Sequence, residues 1–177
     1  RIMGIDIRVP AGNSFEDLTI FNVYAPSTHG NDIELVENFW TVLEDDIISI
    51  PPKNIPIIGG DINARIGNRL SHPLSDGQYF GPWGDDRLNE AGSLVVPMMQ
   101  QCNLRAASTV FQHKKYWTFK CHLQNELKTL DHFLTHTKLS KRILDAKRII
   151  GGPPSDHDPV LLCLQFSRKK KNNAPPK

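Results

Sequence analysis

The chain has 177 residues, of which 39% are hydrophobic, and its formal net charge at pH 7 is +2. This length suits one domain with one buried core, and no apolar stretch approaches the length that crosses a bilayer. Five basic residues lie in the last ten positions, so the remaining chain carries 2 − 5 = −3, and net charge alone does not indicate a nucleic-acid-binding body. These five are Arg168, Lys169, Lys170, Lys171 and Lys177.

The three cysteines are odd in number, widely spaced and not arranged as C-x-x-C. Cys102 falls in a predicted helix and Cys163 in an apolar predicted strand, where thiols behave as small hydrophobic groups. This usage does not indicate a zinc site. It favours a reducing compartment, either nucleus or cytoplasm, over secretion.

The beginning of the chain predicts a β-hairpin. Residues 1–9, "RIMGIDIRV", alternate apolar and polar side chains, and the next eight residues are rich in turn formers. Residues 18–24, "LTIFNVY", then return as a second strand.

A helix and a buried strand are predicted next. Asn31 offers a helix N-cap with Glu34 three positions on, and apolar residues continue at helical spacing as far as Ile47. Pro51 and the proline after it end this helix. The apolar segment "IPIIGG", residues 55–60, is typical of a strand buried on both faces.

The second half of the chain predicts short elements separated by polar segments. Residues 64–86 are expected to form a long loop, and a helix is expected over Asn89–Asn103, kinked or starting late because of Pro97. Short strands are expected at residues 105–109, 115–120, 128–134, 144–149 and 160–166. The interleaved pattern predicts an α/β fold, or an α+β fold with two layers of sheet. Residues 167–177 are expected to be a basic tail, for which a linker is favoured over a nuclear address or a phosphate-contacting arm.

Four ends of predicted strands offer polar side chains. They are Tyr24; Asp61 with Asn63; Asp131; and Asp156 with His157. Carboxylate oxygens suit Mg²⁺ or Mn²⁺, whereas an amide, a phenol and a protonated imidazole can hold phosphoryl oxygens without competing for the metal. A carboxylate among apolar residues needs a partner, and His157 is available to Asp131. Each group alone also fits an ordinary turn or packing role, but the four together favour phosphate chemistry.

Several segments occur here in the order that is typical of one superfamily: "NVYAP", "GGDINAR", "YWT" followed by "TLDHFLT", and "SDHDPV". They resemble the endonuclease/exonuclease/phosphatase superfamily, which includes pancreatic deoxyribonuclease and the abasic-site repair endonucleases. The "NEAG" at residues 89–92 resembles the branch attached to reverse transcriptases in non-LTR retrotransposons, which craniofacial development protein 2-like proteins share. The resemblance covers residues 1–166. It implies two packed mixed β-sheets flanked by helices, in a four-layer sandwich that lacks its first strands.

The resemblance also implies an activity, which is hydrolysis of DNA phosphodiester bonds with Mg²⁺ or Mn²⁺. Asp61 would activate or orient the attacking water, or support a metal-bound hydroxide. Asn63 and Tyr24 would contact the scissile phosphate, and Asp156 would belong to the metal site. His157, oriented by Asp131, would stabilise the pentacovalent phosphate.

Three further residues are candidate DNA contacts. They are Arg65, Trp117 and Asn89, although Trp117 is better suited to packing under the strand that carries Asp131. By family alone, a reverse transcriptase domain is expected as a partner in the full-length product, and no membrane is expected.

The sequence departs from the superfamily pattern in two ways. His132 stands where this branch usually has Tyr. The strands that carry an Asn and a metal-binding Glu in the superfamily have no equivalent here, so we expect an N-terminally incomplete domain with an unpaired sheet edge. Such a domain would bind metal poorly and be marginal in stability, and for lack of that Asn and Glu it could be inactive.

Two alternative functions remain open at this point. A degenerate or domesticated copy could bind DNA or protein without catalysis. A phosphoinositide or sphingolipid phosphodiesterase could share the same fold, although inositol phosphatases have Pro and then Asp-Arg where this chain has "TLDHFL".

Overall fold

The computed structural model describes residues 1–72, 77–121, 125–152 and 154–166. Nine β-strands and two α-helices lie in these ranges. In chain order they are β1 (Ile2–Ala11), β2 (Ser14–Tyr24), α1 (Ile33–Ser49), β3 (Ile55–Asp61), α2 (Glu90–Gln101), β4 (Leu104–Ala106), β5 (Phe119–Cys121), β6 (Glu126–Lys128), β7 (Asp131–His136), β8 (Ile143–Arg148) and β9 (Val160–Leu164). The predicted basic tail, residues 167–177, lies outside the described residues.

The main sheet has five strands in the order β1-β2-β3-β7-β4. β2 and β3 are parallel, and the other neighbours are antiparallel. Two smaller antiparallel sheets pair β5 with β6 and β8 with β9. α1 connects β2 to the parallel β3, as a crossover between parallel strands requires.

The five-stranded sheet has an apolar cluster on each face because side chains alternate along its strands. Phe21 and Ile58 join the cluster under α1 and α2. Leu18 and Ile57 join the opposite cluster, which includes residues of β9. The helices, the main sheet and the β8–β9 sheet therefore form successive layers. This confirms the predicted α/β class, with packed sheets flanked by helices.

Several element boundaries differ from the sequence prediction. The N-cap of α1 is Asp32, whose side chain accepts from the Glu34 amide, whereas the Asn31 side chain donates to the Ser27 carbonyl. The strand expected at 105–109 ends at residue 106 and gives way to a 3₁₀ turn. The strand expected at 115–120 begins only at Phe119.

The strand expected at 128–134 is divided into β6 and β7. The Thr118 hydroxyl accepts from the amides of Leu130 and Asp131, and the Leu130 carbonyl accepts from the Ile62 amide. Because of these hydrogen bonds, β6 pairs with β5 but the chain leaves that pairing before β7, which pairs with β3 instead.

α2 begins at Glu90, and Pro97 lies within it, so the expected late start is wrong. Asn89 caps this helix by accepting from the Gly92 amide. Neither α-helix combines the length and apolarity that a membrane-spanning helix needs, within the ranges that the structure describes.

Candidate active site

The ends of three adjacent strands bring the predicted site residues together. In the register of the main sheet, Tyr24 at the end of β2 is opposite Asp61 at the end of β3, and Asp61 is opposite Asp131 at the start of β7. The strand directions thus place one phenol and two carboxylates along a single edge.

The backbone around Asp61 is tightly constrained. Gly60 has a φ of +135°, and a Cβ at this position would lie 2.1 Å from the Val23 carbonyl oxygen. Asn63 also has a positive φ, 48°. The Asp61 carboxylate accepts from the Asn63 amide at 2.9 Å, and the Asn63 side-chain amide donates to the Ala25 carbonyl at 2.8 Å. The two side chains are therefore held by the turn that follows β3.

His157 lies between the two carboxylates. Its Nδ1 is 2.9 Å from Asp131 Oδ2, and its Nε2 is 4.0 Å from Asp61 Oδ2. The Phe119 ring packs against the imidazole with a centroid distance of 4.7 Å. One ring nitrogen is thus engaged by Asp131, while the other faces the space beside Asp61.

The charges in this cluster shift the pKa of two groups. Burial is the main reason that the pKa of Asp61 is raised to about 6. The hydrogen bond from the Asn63 amide and the charge of His157 lower this pKa, whereas the negative charges of Asp131 and Asp156 raise it. The hydrogen bond to Asp131 raises the pKa of His157, against the opposing effect of burial. The site therefore favours a protonated imidazole and a carboxylate that is unusually basic.

Three potential metal ligands lie within 4.8 Å of one another: Asp61, Asp131 and His157. Asp156 is exposed, and its charge acts on both Asp61 and His157. The two carboxylates of this cluster fit a hard divalent cation such as Mg²⁺ or Mn²⁺, which prefers oxygen ligands. A cation here would also relieve the repulsion that raises the Asp61 pKa.

The site opens onto solvent. Tyr24 is 57% exposed, and together with Asn63 it lines a cleft of about 530 Å³ beside α1. Asp61, Asp131 and His157 do not line this cleft, so it borders the site only on the side of Tyr24 and Asn63.

Comparison with known proteins gives a match at the level of structure. No protein-family model and no curated protein sequence matches the chain. The endonuclease domain of TRAS1, a telomere-specific non-LTR retrotransposon, is 15% identical with a TM-score of 0.63, and the match covers 93% of this chain and 62% of that one. The 3′-5′ exonuclease NExo from Neisseria meningitidis is 15% identical with a TM-score of 0.60, and the match covers 84% of this chain and 62% of that one. The catalytic domain of Xenopus laevis APE2 is 18% identical with a TM-score of 0.64, and the match covers 96% of this chain and 57% of that one.

The chain has the DNase I-like fold. This confirms the fold that the four sequence motifs implied. The chain spans less than two thirds of the length of each of these three structures.

Within the DNase I-like fold, the three candidate DNA contacts have other partners. Arg65 is buried and paired with Asp85 and Glu126. Asn89 caps α2 and also accepts from the Arg65 amide at 3.0 Å. The guanidinium of Arg148 lies 3.5 Å from the centroid of the partly buried Trp117 ring. DNA contact by these residues stays a prediction.

Several residues that support the candidate site were not singled out from the sequence. Thr118 holds the amide of Asp131, Phe119 packs on His157, and Ser155 accepts from the His157 amide at 3.1 Å. Of these, Thr118 belongs to the "YWT" segment and Ser155 to the "SDHDPV" segment noted above, whereas Phe119 lies outside the quoted motifs. His132, which replaces the usual Tyr, is buried with Nε2 against the Thr129 carbonyl.

Proposed function

We propose that this protein is a metal-dependent nuclease that cleaves phosphodiester bonds in DNA. The observation that carries the proposal is the Asp131–His157–Asp61 arrangement, in which the imidazole is polarised on one side and faces a basic carboxylate on the other. This array lies at strand ends of a DNase I-like fold.

The chain's own groups provide proton transfer and charge stabilisation. Asp61, with a pKa of about 6, accepts a proton from the attacking water as the water oxygen bonds to phosphorus. His157 donates through Nε2 to the phosphate oxygen on which negative charge develops, while Asp131 holds its Nδ1 proton. The bond from phosphorus to the leaving strand breaks, and the leaving oxygen keeps the bonding electron pair and takes up a proton from water. Tyr24 and Asn63 hold the phosphate in line.

Asp156, with support from Asp61, would hold a Mg²⁺ or Mn²⁺ ion. When bound, this ion neutralises phosphate charge and lowers the pKa of water. Magnesium sites of this kind commonly combine one or two carboxylates with substrate phosphates, so we expect metal to bind weakly until DNA is present.

Two observations support DNA over other phosphodiesters as the substrate, and a mobile genetic element as the origin of the protein. One is the similarity to the TRAS1 endonuclease domain, and the other is the "NEAG" motif at residues 89–92, where Asn89 caps α2. We infer that the protein derives from a non-LTR retrotransposon and acts beside a reverse transcriptase domain, in the nucleus or cytoplasm.

A comparison of two substrates tests this assignment. A labelled DNA duplex and a soluble inositol polyphosphate are incubated separately with the protein and Mn²⁺, and phosphodiester cleavage and phosphate release are measured. The proposal expects cleaved DNA and no inositol product. Release from the inositol polyphosphate without DNA cleavage would assign the site to lipid-headgroup chemistry instead.

A further inference from the structure

A network of charged side chains lies beside the candidate active site. The Arg65 guanidinium contacts Asp85 Oδ2 through Nη2 at 2.9 Å and Glu126 Oε1 through Nη1 at 2.5 Å. Arg87 contacts the same two carboxylates at 3.0 and 3.3 Å. The side chains of Arg65 and Asp85 are only 9% and 6% exposed, so the centre of this network is desolvated.

One end of the network is fixed to the turn that carries the site. Arg65 follows Asn63 by two residues. Its amide donates to Asn89 Oδ1 at 3.0 Å, and its carbonyl accepts from the Asn89 amide at 3.1 Å. A Cβ on Gly92 would lie 2.1 Å from the Arg65 carbonyl oxygen, which shows how closely α2 packs on this backbone.

The other end of the network is fixed to the β5–β6 hairpin. Glu126 is the first residue of β6, which has only three residue pairs with β5. A two-stranded hairpin of this size is marginally stable without outside support. Arg65 and Arg87 supply support from outside the hairpin through charge-assisted hydrogen bonds to Glu126.

β5 in turn holds the loop that carries His157. The Lys120 amide donates to the Asp156 carbonyl at 2.9 Å, and the Asp158 amide donates to the Thr118 carbonyl at 2.7 Å. The Phe119 ring lies against the imidazole. The His157 loop therefore takes its position from β5.

We propose that Arg65 is a positioning residue that sets the distance between His157 and Asp61. It connects the turn after β3 to β6 through Glu126, and β5 carries the connection to the His157 loop. The part of this inference that concerns catalysis depends on the proposed nuclease function. Arg is suited to the role because its planar fork binds two carboxylates in fixed directions, which a lysine ammonium cannot do.

Glu126→Gln tests the connection with little risk to folding, because it keeps the buried Arg65–Asp85 pair and changes a partly exposed side chain. Lys128→Gln is the matched control, since it removes the 3.4 Å Lys128–Glu126 pair in the same hairpin and leaves the Arg65 contact in place. Arg65→Lys keeps the positive charge and removes the planar guanidinium, so it tests whether charge alone is sufficient to hold Glu126. Hydrogen exchange of the Lys120 and Asp158 amides and the kcat and KM for DNA cleavage are measured for each variant.

We expect Glu126→Gln and Arg65→Lys to speed exchange of both amides by about tenfold, because each replaces the charge-assisted hydrogen bond between Arg65 and Glu126 with a weaker contact. We expect kcat to fall by about tenfold with KM nearly unchanged, because displaced reacting groups affect the chemical step. Lys128→Gln should leave exchange and kcat as in the wild type.

Unchanged exchange in Glu126→Gln would overturn the connection. Faster exchange with an unchanged kcat would overturn the positioning role. A wild-type protein that does not cleave DNA would refute the proposed function, whereas the exchange rates would still decide whether Arg65 holds the His157 loop.

Discussion

Asp61→Asn should make the protein more stable while abolishing cleavage. Burial and neighbouring negative charge raise the pKa of Asp61 from 3.8 to about 6, so the ionised carboxylate is destabilising in the folded state. The amide of the variant has nearly the same shape and cannot ionise. Its oxygen can still accept from the Asn63 amide.

The magnitude follows from the pKa difference. A change from 3.8 to about 6 is about 2 pKa units, which corresponds to about 3 kcal/mol in the free energy of unfolding once pH exceeds 6. The Asp61 side chain is 13% exposed, so solvent screening reduces this value little. Between 3.8 and about 6 the folded protein binds more protons than the unfolded chain, and wild-type stability therefore falls as pH rises through this range.

Urea unfolding of both proteins over a pH series, without metal, measures this difference. The variant should exceed the wild type by about 3 kcal/mol at about pH 7, and the difference should disappear at about pH 3.5, where the carboxyl is protonated in both states. A variant that is no more stable at neutral pH, or that is equally more stable at both pH values, would refute the electrostatic reasoning.

Three other substitutions have defined outcomes. His157→Ala should reduce the kcat of DNA nicking by about 10²-fold or more with a smaller change in DNA affinity, as measured by single-turnover cleavage and a binding titration. Asp131→Asn should lower the pKa of His157 towards its ordinary value, as followed by NMR of the imidazole. The raised pKa of His157 stabilises the folded protein below about pH 6.5, and this stabilisation is lost as pH rises through the folded-state pKa. The variant should therefore lose stability mainly at acidic pH. Gly60→Ala should destabilise the fold by about 3 kcal/mol or more in urea unfolding, because a Cβ would meet the Val23 carbonyl at 2.1 Å on a backbone with φ of +135°; wild-type-like stability would contradict this.

Much of the fold could be predicted because its elements have strong local signals. The alternation in residues 2–24 predicts the β1–β2 hairpin, and the apolar "IPIIGG" predicts β3. The errors arise where tertiary contacts decide. Thr118 and Ile62 divide the strand expected at 128–134, and neither contact can be inferred from local pattern.

The residues of the candidate site could be predicted in part, but their burial and several of their partners could not. The apolar surroundings of Asp131 predicted its need for a partner, and the structure brings His157 to it at 2.9 Å. The basicity of Asp61 depends on burial, which only the assembled sheet defines. Arg65 was expected to contact DNA, and only the structure reveals its ion pairs with Asp85 and Glu126, which lie 20 and 61 residues away in sequence.

Nicking of supercoiled plasmid tests the central claim most directly. Purified protein is incubated with plasmid and Mn²⁺, alongside samples that contain EDTA or the His157→Ala variant at the same concentration, and circular dichroism verifies that both proteins are folded. The account predicts nicked circles only for the wild type with metal. Plasmid that stays supercoiled with folded wild-type protein and Mn²⁺, or nicking that persists in EDTA or in His157→Ala, would contradict it.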